Sequence, residues 1–470
     1  MERNSSSNGG NGSKSTDLIS SPNASFEVAG DSDDLVQRTG TFWTAAAHVI
    51  TGVIGAGVLS LAWSTAQLGW IAGPLAIVVF AAITQVSIFL VCDCYRSPDP
   101  IDGPARHRSF IEAVKFYLGK KQQLICGLFL MESFYGCGIA YTIVTASSVK
   151  AILRSDCYHD RGHDADCRYG DYKFMLIFGL SQIIVSQIPD FHNMAWLSVV
   201  AAIMSFCYAS IGFGLGFAAV IENKEIKGSI SGVPGNTSAQ KTWHIFQALG
   251  DIAFAYPYTQ IVLEIQDTLK SPPAANQTMK KVTMSAILIT TFFYLCCACF
   301  GYAAFGDATP GNLLTGFGFY EPFWLVDFAN ACIILHLVGG YQVYSQPVFA
   351  FAERWISRKF PESRKSYKWG GIGVNPLRVC FRTAYVVSTT GIAMLFPYFN
   401  QVLGVLGALN FWPLAVYFPV EMYLVQSKTR AWSRKWVFLQ GVSALCFVLS
   451  LVGLIGSVVG LMRAKFTSSS

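Results

Sequence analysis

The chain has 470 residues, 52% of them hydrophobic and 13% charged, with a formal net charge of +6 and a mean hydropathy of +0.41. A soluble domain of ordinary composition carries about 25% charged residues. A chain this long and apolar would expose large greasy patches in water, so composition argues against a soluble protein or a nucleic-acid binder and for an integral membrane protein.

Residues 1–38 are rich in Ser, Asn, Gly and Asp and hold no apolar run. They read as a disordered cytosolic tail, with no secretory signal. Beyond them charge disappears over long stretches. Thr39–Cys92, Phe191–Ile221, Val282–Gly306, Thr383–Val420 and Trp436–Met462 contain no Asp, Glu, Lys or Arg. A membrane-crossing helix needs about 20 such residues. The pattern predicts an all-α membrane domain over 39–463 with eleven spans: 42–62, 70–92, 123–152, 173–189, 193–221, 243–268, 282–305, 322–352, 377–396, 399–424 and 435–462. The period-two alternation of a β-barrel is missing. Lys and Arg concentrate in Arg96–Lys121, Arg354–Arg382 and Lys428–Lys435. The positive-inside rule then places the N-terminus in the cytosol and the tail 464–470 outside.

The first span carries Gly52, Gly55 and Gly57 in its middle. Each costs about 1 kcal/mol against alanine in a helix, which predicts an unwound segment; close helix packing is the alternative. His48 precedes this segment. The third span contains Glu132 and Tyr141, and the outer loop after it holds Cys157 and Cys167. In an oxidising compartment these two predict a disulfide, the alternative being two reduced thiols. His159 and His163 stand in the same loop beside aspartates, which a solvated loop explains as well as a metal cluster does. Asn236 heads a glycosylation sequon in the outer loop 222–242. The sequons at Asn4, Asn11, Asn23 and Asn276 fall on the cytosolic side.

The sixth span has Pro257 in its middle, and proline breaks a helical hydrogen bond. Spans one and six would be corresponding members of a 5+5 inverted repeat, with the eleventh span as an addition. Interruptions at matching positions of two halves point to a substrate site at the midplane. Half-helix N-termini attract a carboxylate and unwound carbonyls attract an ammonium, so the pair suits a zwitterion. Ionisable groups inside spans are functional candidates by default. Asp251, one turn before the sixth-span break, His48 and His336 are the candidate proton carriers. Glu264 and Asp327 are further ionisable groups. Asn330 shares a polar face of the eighth span with His336.

The stretches TGTFWTAAAHVITGVIGAGVLSLAW, GDIAFAYPYTQIVLEIQDTL, EPFWLVDFANACIILHLVGGYQV and FWPLAVYFPVEM closely resemble the plant amino acid permeases of the amino acid/auxin permease family. The resemblance runs from Arg38 to Met462. It implies a leucine-transporter-like fold, with a 5+5 repeat and broken helices 1 and 6, and a proton-coupled importer of neutral and acidic amino acids at the plasma membrane. It also implies that Gly55, Ala56 and Gly57 hold the substrate carboxylate through backbone amides, and that Phe254, Ala255 and Tyr256 face its amino group and side chain. Tyr141 and Asn330 are added to this set as polar neighbours. The proton is the coupling ion and no cofactor is implied. A channel, a membrane enzyme, a sodium-coupled or auxin-like carrier, and an amino acid sensor with the same fold are the alternatives. Glu132 lies outside the family motifs.

Overall fold

The computed structural model describes residues 38–162, 164–188, 195–256, 258–317, 322–360, 367–369 and 372–467. The tail to residue 37, His163, Pro257 and residues 468–470 lie outside the described residues.

The first apolar run does not make one helix. Helix α1 (Phe42–Val53) opens on a capping box, in which Thr41 Oγ1 accepts from the Thr44 amide and Thr44 Oγ1 accepts from the Thr41 amide. It stops at Ile54 (φ −78°, ψ 89°) and Gly55 (φ −125°, ψ −147°). A 3₁₀ turn, Ala56–Leu59, leads into α2 (Leu61–Asp93), which reverses at Gly69 with φ +85°. A Cβ there would stand 2.1 Å from the Ile230 carbonyl oxygen, so both the conformation and the space require glycine. Residues 61–68 thus finish the first broken helix, and 70–93 run separately.

A polar loop follows, with a short antiparallel pairing of β1 (Arg96–Ser97) and β2 (Ala105–Arg106). His107 is buried here. Its Nε2 lies 3.1 Å from Ser97 Oγ, and its ring sits 4.3 Å from that of Phe116 and 5.2 Å from that of Tyr117. Burial lowers its pKa from 6.5 to about 4. In the same loop the amides of Asp102 and Ile101 hydrogen-bond Asp99 and lower its pKa.

Helix α3 (Phe110–Arg161) is capped by Ser109, whose Oγ accepts from the Glu112 amide at 3.2 Å, and it is broken at Gly119 (φ +86°) into 110–118 and 120–161. Near its end Cys157 is bonded to Cys167, with Cα atoms 5.9 Å apart. The helices α4 (Tyr172–Ser186), α5 (Ala195–Asn223) and α6 (Ser238–Phe254) follow. Thr237 caps α6 through the Gln240 amide, and Asn236 just before it is exposed. The sixth run breaks after Phe254 and resumes through a 3₁₀ turn, Thr259–Ile261, into α7 (Val262–Thr268). Next come α8 (Ala275–Phe305), α9 (Phe323–Lys359), a hairpin of β3 (Tyr367–Trp369) and β4 (Ile372–Val374), and α10 (Pro376–Leu395). Asn375 Oδ1 caps α10 by accepting from the Leu377 and Arg378 amides. Buried Arg382 of α10 pairs with Glu353 of α9 at 2.8 Å. Helices α11 (Phe399–Asn410) and α12 (Phe418–Gln426) are joined by a π-helical stretch, Phe411–Tyr417, and α13 (Arg434–Thr467) closes the fold.

Among the described residues seven helical stretches are long and apolar enough to cross a membrane, and α1 and α4 are shorter apolar helices. The chain is therefore a helical multi-pass membrane protein. Outward faces carry Ile71, Leu75, Leu128, Leu180, Ile184 and Leu335, a belt suited to lipid and not to water. Inside, α2 packs on α8, α3 on α9, and both α11 and α13 on α6. The apolar window of Phe399–Gln426 is 78% buried and that of α13 only 22%, so α13 lies at the periphery. The segment before α1 is tied to the end of α7 by two backbone bonds, Gly40 N–H to Thr268 O at 2.9 Å and Lys270 N–H to Gly40 O at 3.0 Å.

Candidate substrate site

Unwinding a helix in an apolar medium leaves carbonyls and amides that must find partners. In the first break hydroxyl groups meet the carbonyls. Tyr294 Oη lies 2.6 Å from Val53 O. Ser205 Oγ lies 2.9 Å from Ile54 O, and Tyr208 Oη lies 3.1 Å from Gly55 O. The same Tyr294 hydroxyl stands 3.0 Å from Ala255 O, in the second break. One phenol thus bridges the two interruptions. Contact between them is close, since a Cβ on Gly57 would fall 2.9 Å from Ala255 Cα.

Where the breaks meet there is a small cavity of about 30 Å³. Gly52, Val53, Gly55, Ala56 and Gly57 line it from the first broken helix. Phe254 and Gln260 line it from the second, Ser133, Cys137 and Tyr141 from α3, Tyr344 from α9, and Leu406, Gly407 and Asn410 from α11. A cavity this small holds little more than water, with Phe254 and Tyr344 among the bulky side chains that confine it. One side of the cavity presents the start of the 3₁₀ turn at Ala56, whose first amides have no partner within the turn. Phe254 brings in the C-terminal, carbonyl-bearing end of α6.

Of the residues singled out from sequence, Gly55, Ala56, Gly57, Tyr141 and Phe254 come together at the cavity. Ala255, Tyr256 and Asn330 are not among its lining. Ala255 contributes its carbonyl to Tyr294. Tyr256 is fully buried with its hydroxyl 3.3 Å from Thr291 Oγ1. Asn330 donates to the Val326 carbonyl of its own helix. Asp251 has no exposure and faces neutral groups, Ser64 Oγ at 3.5 Å and the Asn400 side chain. Ser64 belongs to the second half of the first broken helix, so Asp251 links the two broken helices. His336 is buried with Nδ1 3.1 Å from Ser205 Oγ, one residue contact from the Ile54 carbonyl. His48 is exposed on α1. Residues not anticipated from sequence are Ser133, Cys137, Gln260, Tyr344, Leu406, Gly407 and Asn410. Only Asn410, a lone amide in an apolar run, gave a signal. Among the described residues no cluster of three or more His, Cys, Asp or Glu could hold a metal.

A bundle with two interrupted helices meeting at one central cavity defines a class, the multi-pass membrane proteins of the leucine-transporter fold. The fold is shared with the crystal structure of MhsT in complex with L-phenylalanine, at a TM-score of 0.58, 11% identity, and coverage of 89% of this chain and 100% of that one. It is shared also with the inward-facing conformation of Mhp1, at a TM-score of 0.51, 12% identity, and coverage of 91% and 90%. Residues 38–463 match the family described as transmembrane amino acid transporter protein, and the chain belongs to that family. It is 61% identical over 446 residues to the probable amino acid permease 7 of Arabidopsis thaliana, covering 92% of this chain and 96% of the relative. To amino acid permease 3 of the same plant it is 51% identical over 442 residues, covering 92% and 93%. Both relatives are named as amino acid permeases.

Proposed function

We propose that the protein is a secondary active transporter, a proton-coupled symporter that imports neutral amino acids, and acidic ones with them, across the plasma membrane by alternating access. The observation that carries this reading is the meeting of the two helix breaks at one cavity through the shared Tyr294 hydroxyl. In it, Gly55, Ala56 and Gly57 hold the substrate carboxylate through backbone amides, and the carbonyl end of α6 at Phe254 takes the ammonium, with Tyr141 in the same wall and Ala255, Tyr256 and Asn330 behind. The architecture is eleven spans, a 5+5 inverted repeat plus α13, in a transporter domain 39–463. The cytosolic tail 1–38 precedes it, and the outer tail 464–470 follows, on the same side as a glycosylated Asn236.

Asp251 is the leading proton carrier. A buried charge without a cation costs several kcal/mol, so a carboxyl between neutral partners gains by holding a proton. His336 is the second candidate, through Ser205 to the Ile54 carbonyl. His48, exposed on α1, comes third. A zwitterion carries no net charge, so symport of one proton moves one charge inward. About 100 mV supplies about 2.3 kcal/mol and one pH unit about 1.4 kcal/mol. Together these allow accumulation of roughly 500-fold.

The test is voltage clamp of cells expressing the protein, at acidic outer pH without sodium. Neutral amino acids should evoke inward current, and Asp251→Asn should silence or uncouple it. Sodium-dependent, pH-insensitive current would refute proton coupling. Full coupling in Asp251→Asn would move the role to His336.

A further inference from the structure

The cavity has a second polar end that the carboxylate and ammonium sites do not use. Asn410, at the last turn of α11, is 3% exposed and lines the cavity. Its Nδ2 donates to Glu132 Oε2 of α3 at 2.8 Å and to the Leu406 carbonyl at 3.0 Å. Two acceptors on Nδ2 fix which way the amide points, because a flipped amide would set Oδ1 against the Glu132 carboxylate. The amide oxygen is then left over. It is buried and has no hydrogen-bond partner among the described residues. Gln260, also lining the cavity and 6% exposed, leaves its Oε1 in the same condition. A buried acceptor without a donor is costly, and both belong to walls that a substrate would touch.

The charge pattern has one sign. The lining contains no Lys, Arg or His. The acidic group in contact with this wall is the Glu132 carboxyl behind Asn410, and the residue after it, Ser133, is part of the wall. A hydrogen bond from Asn410 to a carboxylate polarises the amide and makes Oδ1 a stronger acceptor.

Resting on the transport reading above, we infer that Asn410 and Glu132 form the side-chain selectivity element of the site. Asn410 Oδ1, with Gln260 Oε1, accepts from a donor on the substrate side chain, and Glu132 ranks side chains by charge. Ammonium and amide side chains are favoured, because an ammonium supplies the cation beside which Glu132 ionises, whereas a side-chain carboxylate finds two acceptors and no cation. Acidic substrates are therefore admitted least readily, or with their side chain protonated.

The variant to make is Glu132→Gln, which keeps the size and an acceptor for Asn410 Nδ2. KM is measured for lysine, glutamine, alanine and glutamate, with surface expression as control. The expected result is a KM for lysine raised about tenfold, for glutamine raised about threefold, for alanine unchanged within about twofold, and for glutamate lowered. Equal shifts for all four, or none, would overturn the inference while leaving the transport reading intact. If the unaltered protein moves none of the four, the transport reading fails. The inference is then decided by ligand-induced thermal shift of the purified protein, where lysine and glutamine must stabilise more than glutamate and Glu132→Gln must narrow the gap. Absence of that ranking overturns it.

Discussion

Gly57→Ala tests the contact between the two helix breaks at its narrowest point. The added Cβ would stand 2.9 Å from Ala255 Cα and 3.3 Å from Ala255 Cβ. Both atoms are fixed to backbone, so no side chain can rotate away. Carbon atoms at rest are about 3.5–4.0 Å apart, so the two broken helices must part by roughly 0.5–1 Å. Overpacking of this kind costs about 1–3 kcal/mol, which is roughly 5- to 150-fold in the population of the state where the breaks touch. Gly55→Ala is the matched comparison. Its Cβ would meet Tyr141 Oη at 3.7 Å, an ordinary contact, but it would project into a cavity of about 30 Å³. Radiolabelled uptake in transport-deficient yeast, normalised to surface protein, separates the two. Gly57→Ala should lower Vmax about tenfold or more, and Gly55→Ala should raise KM with Vmax kept within about twofold. Wild-type uptake by Gly57→Ala, or a larger loss of Vmax in Gly55→Ala, would refute the steric reasoning.

Tyr294→Phe removes the hydroxyl shared by Val53 O and Ala255 O; it should destabilise the detergent-solubilised protein by about 1–3 kcal/mol and slow uptake, and an unchanged melting temperature would count against the bridge. Cys157→Ser opens a disulfide between residues separated by 10 in sequence, worth about 3 kcal/mol in the chain-entropy model, so its melting temperature should match that of reduced wild type. His107 gives a pH dependence of known sign. Its folded pKa of about 4 lies below the ordinary 6.5, so below pH 6.5 the unfolded chain binds the proton first. Stability is full above that pH and falls toward pH 4 by up to about 3 kcal/mol. His107→Gln should flatten that slope in thermal unfolding, and an unaltered slope would place the titration elsewhere.

Three glycines within six residues of the first apolar run fall on the unwound stretch, but glycine density alone does not decide it, since Gly212, Gly214 and Gly216 stay inside the continuous helix α5. The structure leaves the helix at Ile54 and Gly55. The reversal at Gly69 is equally readable, as Gln67-Leu68-Gly69 interrupts a run too long for one span. Helix ends are less so. Hydropathy sees the part of α3 near 123–152, whereas its helical stretch runs on from the break at Gly119 to Arg161, and the piece before Gly119, capped by Ser109, is separate. The far wall of the cavity could not be read at all. Tyr344 looks like any other aromatic residue of an apolar helix, and Ser133 and Cys137 like any small ones. Only the crossing of α3, α9 and α11 brings them to the breaks. Asn330 illustrates the converse, a polar residue inside a span whose amide nitrogen is satisfied by its own helix.

The two bonds at Gly40 bear on how firmly the two broken helices are held together at one end. They join the root of the first broken helix to the foot of the second through the main chain. Gly40 has no room for a larger residue, since a Cβ would lie 2.6 Å from the Thr268 oxygen. Two backbone bonds are worth about 1–3 kcal/mol net, so the clasp by itself favours the joined arrangement of these two segments by roughly 5- to 150-fold. A latch that weak opens readily on thermal energy.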